Sequence, residues 1–362
     1  MNSQKVHLVF SGGGVRCFSY IGALQKLAEN NITISSVSAC SMGSVLGVLA
    51  CSGLNPQEVE AAIINFNFKS LKTEKAFSLL RYLKYPFASH YTPDYCKIIT
   101  ALLGKDPLLG ELKIPFSALA LDLRQRRFLV YSSGTHPDMK VSEVLTIATA
   151  IPLLYEPYKL GKYLLVDAAV ASDSPVWMAA ANPGNYPILV LKPVAAPNED
   201  YKKSFPRFLS YLFNASTSSH DHFTFSQSAR SVNIDINCST VSYDDFNLTK
   251  EKIEGMILQG QTAMEQKLKE FNYSFERIFE IEEIGRKVAD QSHENKAAAL
   301  ASEMQLGYQK EILNRSQVFV SYSRNDKKWL TKLQTYLKSV ERFTGIKTWD
   351  DTLISRPSKS RF

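Results

Sequence analysis

The sequence contains no run of about 18–20 apolar residues, the length a helix needs to cross a bilayer, so any membrane contact must be peripheral. Its first residues show no basic stretch leading into an apolar segment, and no secretory signal is expected. Cysteines number five (Cys17, Cys40, Cys51, Cys96 and Cys238), an odd count with no CxxC pair. A disulfide framework is therefore not expected; reduced, mostly buried thiols in a cytoplasmic compartment are. There is no H-E-x-x-H, no paired Cys/His set and no calcium loop, so neither metal nor other cofactor is called for. No Lys/Arg block is long enough for a nucleic-acid arm, which argues against a nucleic-acid partner despite a net charge of +7. That mild positive balance suits an anionic membrane surface. Internal repeats are absent as well.

What is present is the composition of an ordinary globular protein: 362 residues, 45% hydrophobic and 21% charged. Val6–Phe10 is short, apolar and β-rich and reads as a buried strand, and Tyr20, Ile21, Leu24, Leu27 and Ala28 then follow helical spacing. A second strand is expected up to Cys40, with a helix of small residues from Met42 to Cys51. The run "NPQE" from Asn55 to Glu58 supplies a capping Asn, a Pro at the first helical position and a Glu at the third, so a helix should start there. Further strands are expected at Phe116–Leu121, Phe128–Tyr131, Leu164–Asp167, Ile188–Leu191 and Val232–Ile236, and a closing helix over Lys250–Phe271. Strands alternating with helices indicate an α/β fold with a mostly parallel central sheet.

Three segments carry chemistry. "SGGGVRC" places Gly12, Gly13 and Gly14 between the first strand and the first helix, where bare backbone lets an anion approach amide N–H groups. The anion is not a dinucleotide, because the third glycine of G-x-G-x-x-G is missing, and a P-loop would need G-K-[ST]. "SACSMGS" puts Ser41 at a strand-to-helix junction, where a sharp turn exposes a hydroxyl and a helix N-terminus favours negative charge. "YLLVDAAVASDSP" ends an apolar strand on Asp167, at the strand end where open α/β sheets build sites. Taken singly, Ser41 reads as a helix cap and Asp167 as a turn residue. Together they are the parts of an acyl hydrolase: Ser41 as nucleophile, Asp167 as base, glycine amides as oxyanion donors. A Ser–His–Asp triad fits less well. His220 and His222 lie in a polar loop, His293 lies in a linker pattern, and Ser41 follows only the second strand.

These segments resemble the patatin-like phospholipase family of Ser–Asp lipid acyl hydrolases. "SGGGVRC" is similar to its glycine-rich oxyanion segment, "ACSMGS" to its G-x-S-x-G elbow and "DAA" to its D-G-[GA]. "ATAIPLLYEPYKLGKYLLVDAAVASDSP" follows its run to the catalytic Asp. The similarity extends over roughly residues 5 to 271. It implies a three-layer α/β/α fold, release of fatty acid from a membrane phospholipid or other acyl lipid, and supporting roles for Arg16, Met42 and Gly43. Arg16 would brace the loop or meet an anionic head group; from its residue type alone it could equally sit in a surface salt bridge. Four positions depart from the pattern: Ala39 and Ala168 stand where the family has glycine, Cys17 follows Arg16 in place of glycine, and Asp173 stands where the family tends to carry Asn. An added methyl at the elbow is expected to strain it by about 1–3 kcal/mol. Asp173 is a fallback base, and the alternative reading that Ala39 and Ala168 favour is a catalytically degenerate patatin fold acting as a binding or scaffold module.

Two segments, Leu79–Tyr91 and Tyr201–Phe213, interleave aromatics with Lys and Arg, as an amphipathic helix over the sheet or a membrane-facing lid would. The expected organisation is a hydrolase domain over 1–273, a helical linker over 274–313 with an apolar stripe of Ile278, Ile281, Ile284 and Val288, and a last piece over 314–362. "VFVSYSRND" and "WDDTLI" in that piece resemble the start of a TIR domain, a flavodoxin-like α/β fold, of which under half would be present. The resemblance implies a signalling or assembly module with a homo-oligomeric or TIR-mediated partner, as in bacterial immune systems. No residue matches the glutamate of NAD-cleaving TIR domains, so no NADase activity is expected.

Overall fold

The structure is a computed structural model, and it describes residues 4–66, 91–152, 154–194, 230–243, 245 and 248–276, together with short strands at 317–320 and 347–350. The chain divides into two units, Met1–Glu283 and Ile284–Phe362.

The first unit is built on one eight-stranded sheet. Its strands are β1 (Gln4–Phe10), β2 (Ile32–Ala39), β3 (Phe116–Asp122), β4 (Arg127–Ser132), β5 (Tyr158–Leu160), β6 (Tyr163–Asp167), β7 (Ile188–Val194) and β8 (Ser231–Asn237). The helices are α1 (Tyr20–Glu29), α2 (Gly43–Cys51), α3 (Pro56–Ile64), α4 (Tyr95–Leu103), α5 (Val141–Ala148), α6 (Val176–Ala180) and α7 (Lys250–Glu270). Helix α3 starts on the capping box read from "NPQE": the Asn55 side chain accepts from the Glu58 N–H at 2.8 Å, and the Glu58 carboxylate accepts from the Asn55 N–H at 2.7 Å.

Strand β1 lies at the middle of the sheet, paired in parallel with β2 on one side and β7 on the other. Its last five residues are wholly buried because both faces are covered. Val6, Leu8 and Phe10 join the large core beneath α1, α2 and α7, while Val9 turns to the other face and packs on Val176 and Ala179 of α6. Each such side chain contributes about 1.5–3 kcal/mol of burial.

The sheet is mixed: strands β3, β2, β1, β7 and β8 run parallel, and antiparallel hairpins that the sequence reading did not include are added at one side. Pairs β1–β2, β1–β7, β2–β3 and β7–β8 are parallel, but β3–β4, β3–β6 and β5–β6 are antiparallel. The reason is turn length. The β5–β6 link is a two-residue turn, Gly161–Lys162, and β3–β4 closes through four residues, so each pair must be a hairpin. Register then places the site. Ser117 pairs with Ser38 on one edge of β3 and Ser132 on the other; Asp122 pairs with Leu165 and Arg127 in the same way. Strands β2 and β6 therefore share one edge of β3 and run toward each other, with Ala39 opposite Ala118 and Asp167 opposite Ala120. Their carboxyl ends meet.

In the second unit, β9 (Gln317–Val320) and β10 (Lys347–Asp350) pair in parallel. The segments Leu79–Tyr91 and Tyr201–Phe213 lie outside the described residues, Tyr91 apart, as do most of the expected linker and most of the expected TIR-like piece.

Candidate active site

Ser41 leaves β2 in a left-handed conformation, φ 53°, which costs a side-chain-bearing residue about 1–2 kcal/mol. Backbone hydrogen bonds hold the turn on both sides: the Cys40 N–H donates to the Phe10 carbonyl at 3.0 Å, and the Ser44 N–H to the Ser41 carbonyl at 2.9 Å. Strain kept in this way points to a functional position. Helix α2 begins two residues later against the end of β1. A methyl on Gly43 would stand 2.6 Å from both the Phe10 and Ser11 carbonyl oxygens, so this position takes glycine alone. Met42 precedes α2 in a helical conformation and Gly43 is its first residue, so the helix starts directly after Ser41.

The Ser41 hydroxyl donates to Asp167 Oδ2 at 2.5 Å, joining residues 126 positions apart. Ser41 is 6% exposed and Asp167 is buried. The other carboxylate oxygen accepts from the Ala169 N–H at 2.9 Å. Burial pushes the Asp167 pKa up to about 7; the Ser41 and Ala169 hydrogen bonds oppose the rise, and the charge of Asp173 adds to it. A carboxylate titrating near 7 is matched to taking and returning a proton at neutral pH.

The three glycines do not contribute alike. The Gly12 N–H already donates to the Asp173 carbonyl at 3.2 Å, so it belongs to the scaffold of the loop, a change from its expected oxyanion role. For the Gly13 and Gly14 N–H groups no backbone partner is seen among the described residues. Gly14, at φ 59°, opens a 3₁₀ turn, Gly14–Ser19, and a methyl on it would lie 2.0 Å from the Tyr243 carbonyl oxygen. That segment clasps the loop from outside: the Val15 N–H donates to the Tyr243 carbonyl at 3.0 Å, and Arg16 Nε to the Val241 carbonyl at 2.7 Å. Arg16 thus has a bracing contact. Nothing in the chain pattern signalled the 238–243 segment as part of this site, because its contribution is backbone carbonyls.

The departures from the family pattern fit without the expected strain. Ala39 is the last residue of β2 and Ala168 sits in a 3₁₀ turn, both buried and neither at positive φ. The Ala39 methyl belongs to the core beneath α2, and Ala168 packs with Cys40, Leu119 and Met178. Cys17 is buried, with its thiol 3.6 Å from the Ser11 carbonyl oxygen. Asp173 stands beside Gly12, so close that a methyl there would meet its Oδ1 at 2.3 Å; the hydroxyl of Ser41 is directed to Asp167 instead.

The family model for patatin-like phospholipase matches residues 8–180, a span that includes the glycine loop, Ser41 and Asp167. Among curated relatives, the uncharacterized protein YqhO of Bacillus subtilis is 27% identical over 287 residues, covering 73% of this chain and 98% of that protein. Lysophospholipase NTE1 of Cryptococcus neoformans is 28% identical over 173 residues, 48% of this chain but 10% of its own length. The chain thus spans nearly all of the bacterial relative and about a tenth of the fungal one. Among solved structures, VipD from Legionella pneumophila aligns with a TM-score of 0.49 at 15% identity, over 75% of this chain and 67% of that one. Human GIVD cytosolic phospholipase A2 aligns at 0.45 and 12%, over 78% and 60%. Among the described residues no group of three or more His, Cys, Asp or Glu could hold a metal ion.

Proposed function

We propose that this chain is a serine lipid acyl hydrolase of phospholipase A type, working through a Ser41–Asp167 dyad. The observation that carries the reading is the 2.5 Å hydrogen bond from Ser41 Oγ to a buried carboxylate titrating near 7. In the first step Ser41 Oγ attacks the ester carbonyl carbon as Asp167 accepts the hydroxyl proton. The amides of Gly13 and Gly14, with those at the start of α2, face the developing oxyanion, each worth about 3 kcal/mol of barrier. Asp167 returns the proton to the departing alcohol, leaving an acyl-serine. Water, deprotonated by the same carboxylate, then attacks the acyl carbon, and the C–Oγ bond breaks as Asp167 returns the proton to Ser41 Oγ and the fatty acid leaves. The acyl lipid would be met at a membrane surface from the cytoplasmic side. The parallel β9–β10 pair, with 26 residues between its strands, supports extending the proposal to a TIR-like partner module, since parallel neighbours need such a crossover.

The test is hydrolysis of a medium-chain chromogenic ester. Ser41→Ala and Asp167→Asn should each lower kcat/KM by about 10³–10⁴-fold, and a fluorophosphonate should label wild type but not Ser41→Ala. Wild-type kcat/KM should rise with pH through about 7 and level off above it, because only ionised Asp167 accepts the proton. Equal rates in all three proteins would end the proposal.

A further inference from the structure

The two hairpins that make the sheet mixed also bring their tips to one place. Strand β3 runs past the level of Asp167, which lies opposite Ala120, so the β3–β4 loop at 123–126 stands about 10 Å farther out along the strand. The β5–β6 turn, Gly161–Lys162, stands beside it: the Leu123 N–H donates to the Leu164 carbonyl at 2.9 Å, and an Arg124 Nη1 donates to the Lys162 carbonyl at 3.1 Å. Both tips therefore project from the end of the sheet that carries Ser41 and Asp167.

The tips are basic. Arg124, Arg126 and Lys162 are exposed, Arg127 follows at the start of β4, and neither loop contains an acid. Asp122, at the base of the β3–β4 loop, is buried, accepts from the Arg124 and Leu164 N–H groups at 3.1 Å and offsets part of the Arg127 charge, leaving Arg124, Arg126 and Lys162 as the outer cations. Arg126 holds φ 54°, a conformation that glycine or asparagine adopts at lower cost, so turn geometry does not account for an arginine there. Apolar groups lie among the cations: Leu123 is 44% exposed, and the Lys162 ammonium sits 5.5 Å from the centre of the Tyr163 ring. Cations interleaved with an exposed leucine and a tyrosine match a lipid head-group layer, where charge meets phosphate and apolar tips reach the acyl boundary.

We propose that the paired tips 123–127 and 161–163 form a cationic ledge that docks the patatin-like domain on an anionic phospholipid surface, with Ser41 facing the same layer. The proposal rests on the hydrolase reading for its purpose, but its test does not depend on catalysis. The full chain is sedimented with vesicles of phosphatidylcholine alone or with added phosphatidylglycerol, alongside the double variant Arg126→Gly/Lys162→Asn, whose residues suit the two turns. Wild type should bind the anionic vesicles preferentially and weaken as salt rises. The variant should lose about 25-fold in affinity, roughly fivefold per cation, with an unchanged or higher melting temperature. Equal wild-type binding to both vesicle types, equal binding by variant and wild type, or Arg126-dependent binding to duplex DNA without vesicle binding would each overturn the ledge. Wild-type hydrolysis of a soluble short-chain ester, measured in parallel, tests the hydrolase reading alone.

Discussion

The two ends of the central sheet are built to opposite rules. At the amino end, His7 of β1 is buried and closes a complete set of hydrogen bonds. Its Nε2–H donates to the Gly184 carbonyl at 3.1 Å, so Nδ1 accepts from the Ser36 hydroxyl at 2.7 Å. The Ser36 oxygen in turn accepts from Asn182 Nδ2 at 2.8 Å, and Arg230 ties down the same loop through Gly184, Asn185 and Ala180. At the carboxyl end, Ser41 is strained, the Asp167 pKa is pushed far from its usual range, and the buried hydroxyls of Ser38, Ser44 and Ser172 find no partner among the described residues. One end is satisfied and serves stability. The other holds its costs open, as a site prepared for reaction must.

The sharpest way to break the contrast is Gly43→Ala. The new methyl would press on two backbone oxygens and push α2 from the end of β1, and ester hydrolysis should fall at least about 100-fold while the His7 network stays intact. Steady-state kinetics with near-ultraviolet dichroism would check both halves. Next in size, His7→Ala should cost about 2–3 kcal/mol in denaturant unfolding and leave kcat/KM unchanged, since it acts at the satisfied end. Burial holds the His7 pKa below its ordinary value, with Arg230 adding to that and the Gly184 carbonyl opposing it. The unfolded chain therefore binds the proton first, and the wild-type contribution is complete above about pH 6.5 and declines as the pH falls below it; His7→Ala should flatten that decline. The smallest effect separates strain from contact. Ser41→Gly and Ser41→Ala both lose the hydrogen bond to Asp167, but only glycine relaxes the left-handed turn. Ser41→Gly should be more stable than Ser41→Ala by about 1 kcal/mol, and equal melting curves would remove strain from the account of this end.

Much of the satisfied machinery was legible in the chain. The apolar run of β1, the capping box of α3 and the closing helix follow from local pattern, and local pattern also placed Ser41 and Asp167 at element ends. What stayed hidden depends on pairing between distant strands. Nothing local says that β6 enters antiparallel beside β3, that the Gly12 N–H is already committed to Asp173, or that residues 238–243 brace the glycine loop. The expected strain at Ala39 and Ala168 failed for a related reason. A glycine in a motif can answer a demand for conformation or for space, and only coordinates show that neither alanine faces either demand, whereas Gly43 faces the second.

Because β2 and β6 hang from one flank of β3, the stretch Ala118–Ala120 acts as a ruler for the hydrogen-bonded pair Ser41 and Asp167. Hydroxyl and carboxylate are gauged against the same two-residue interval, not against the loops or helices around them. Those surroundings can drift in length and composition while the gap survives; a single inserted residue within the interval would lengthen it by one strand step and turn every later side chain of β3 to the opposite face.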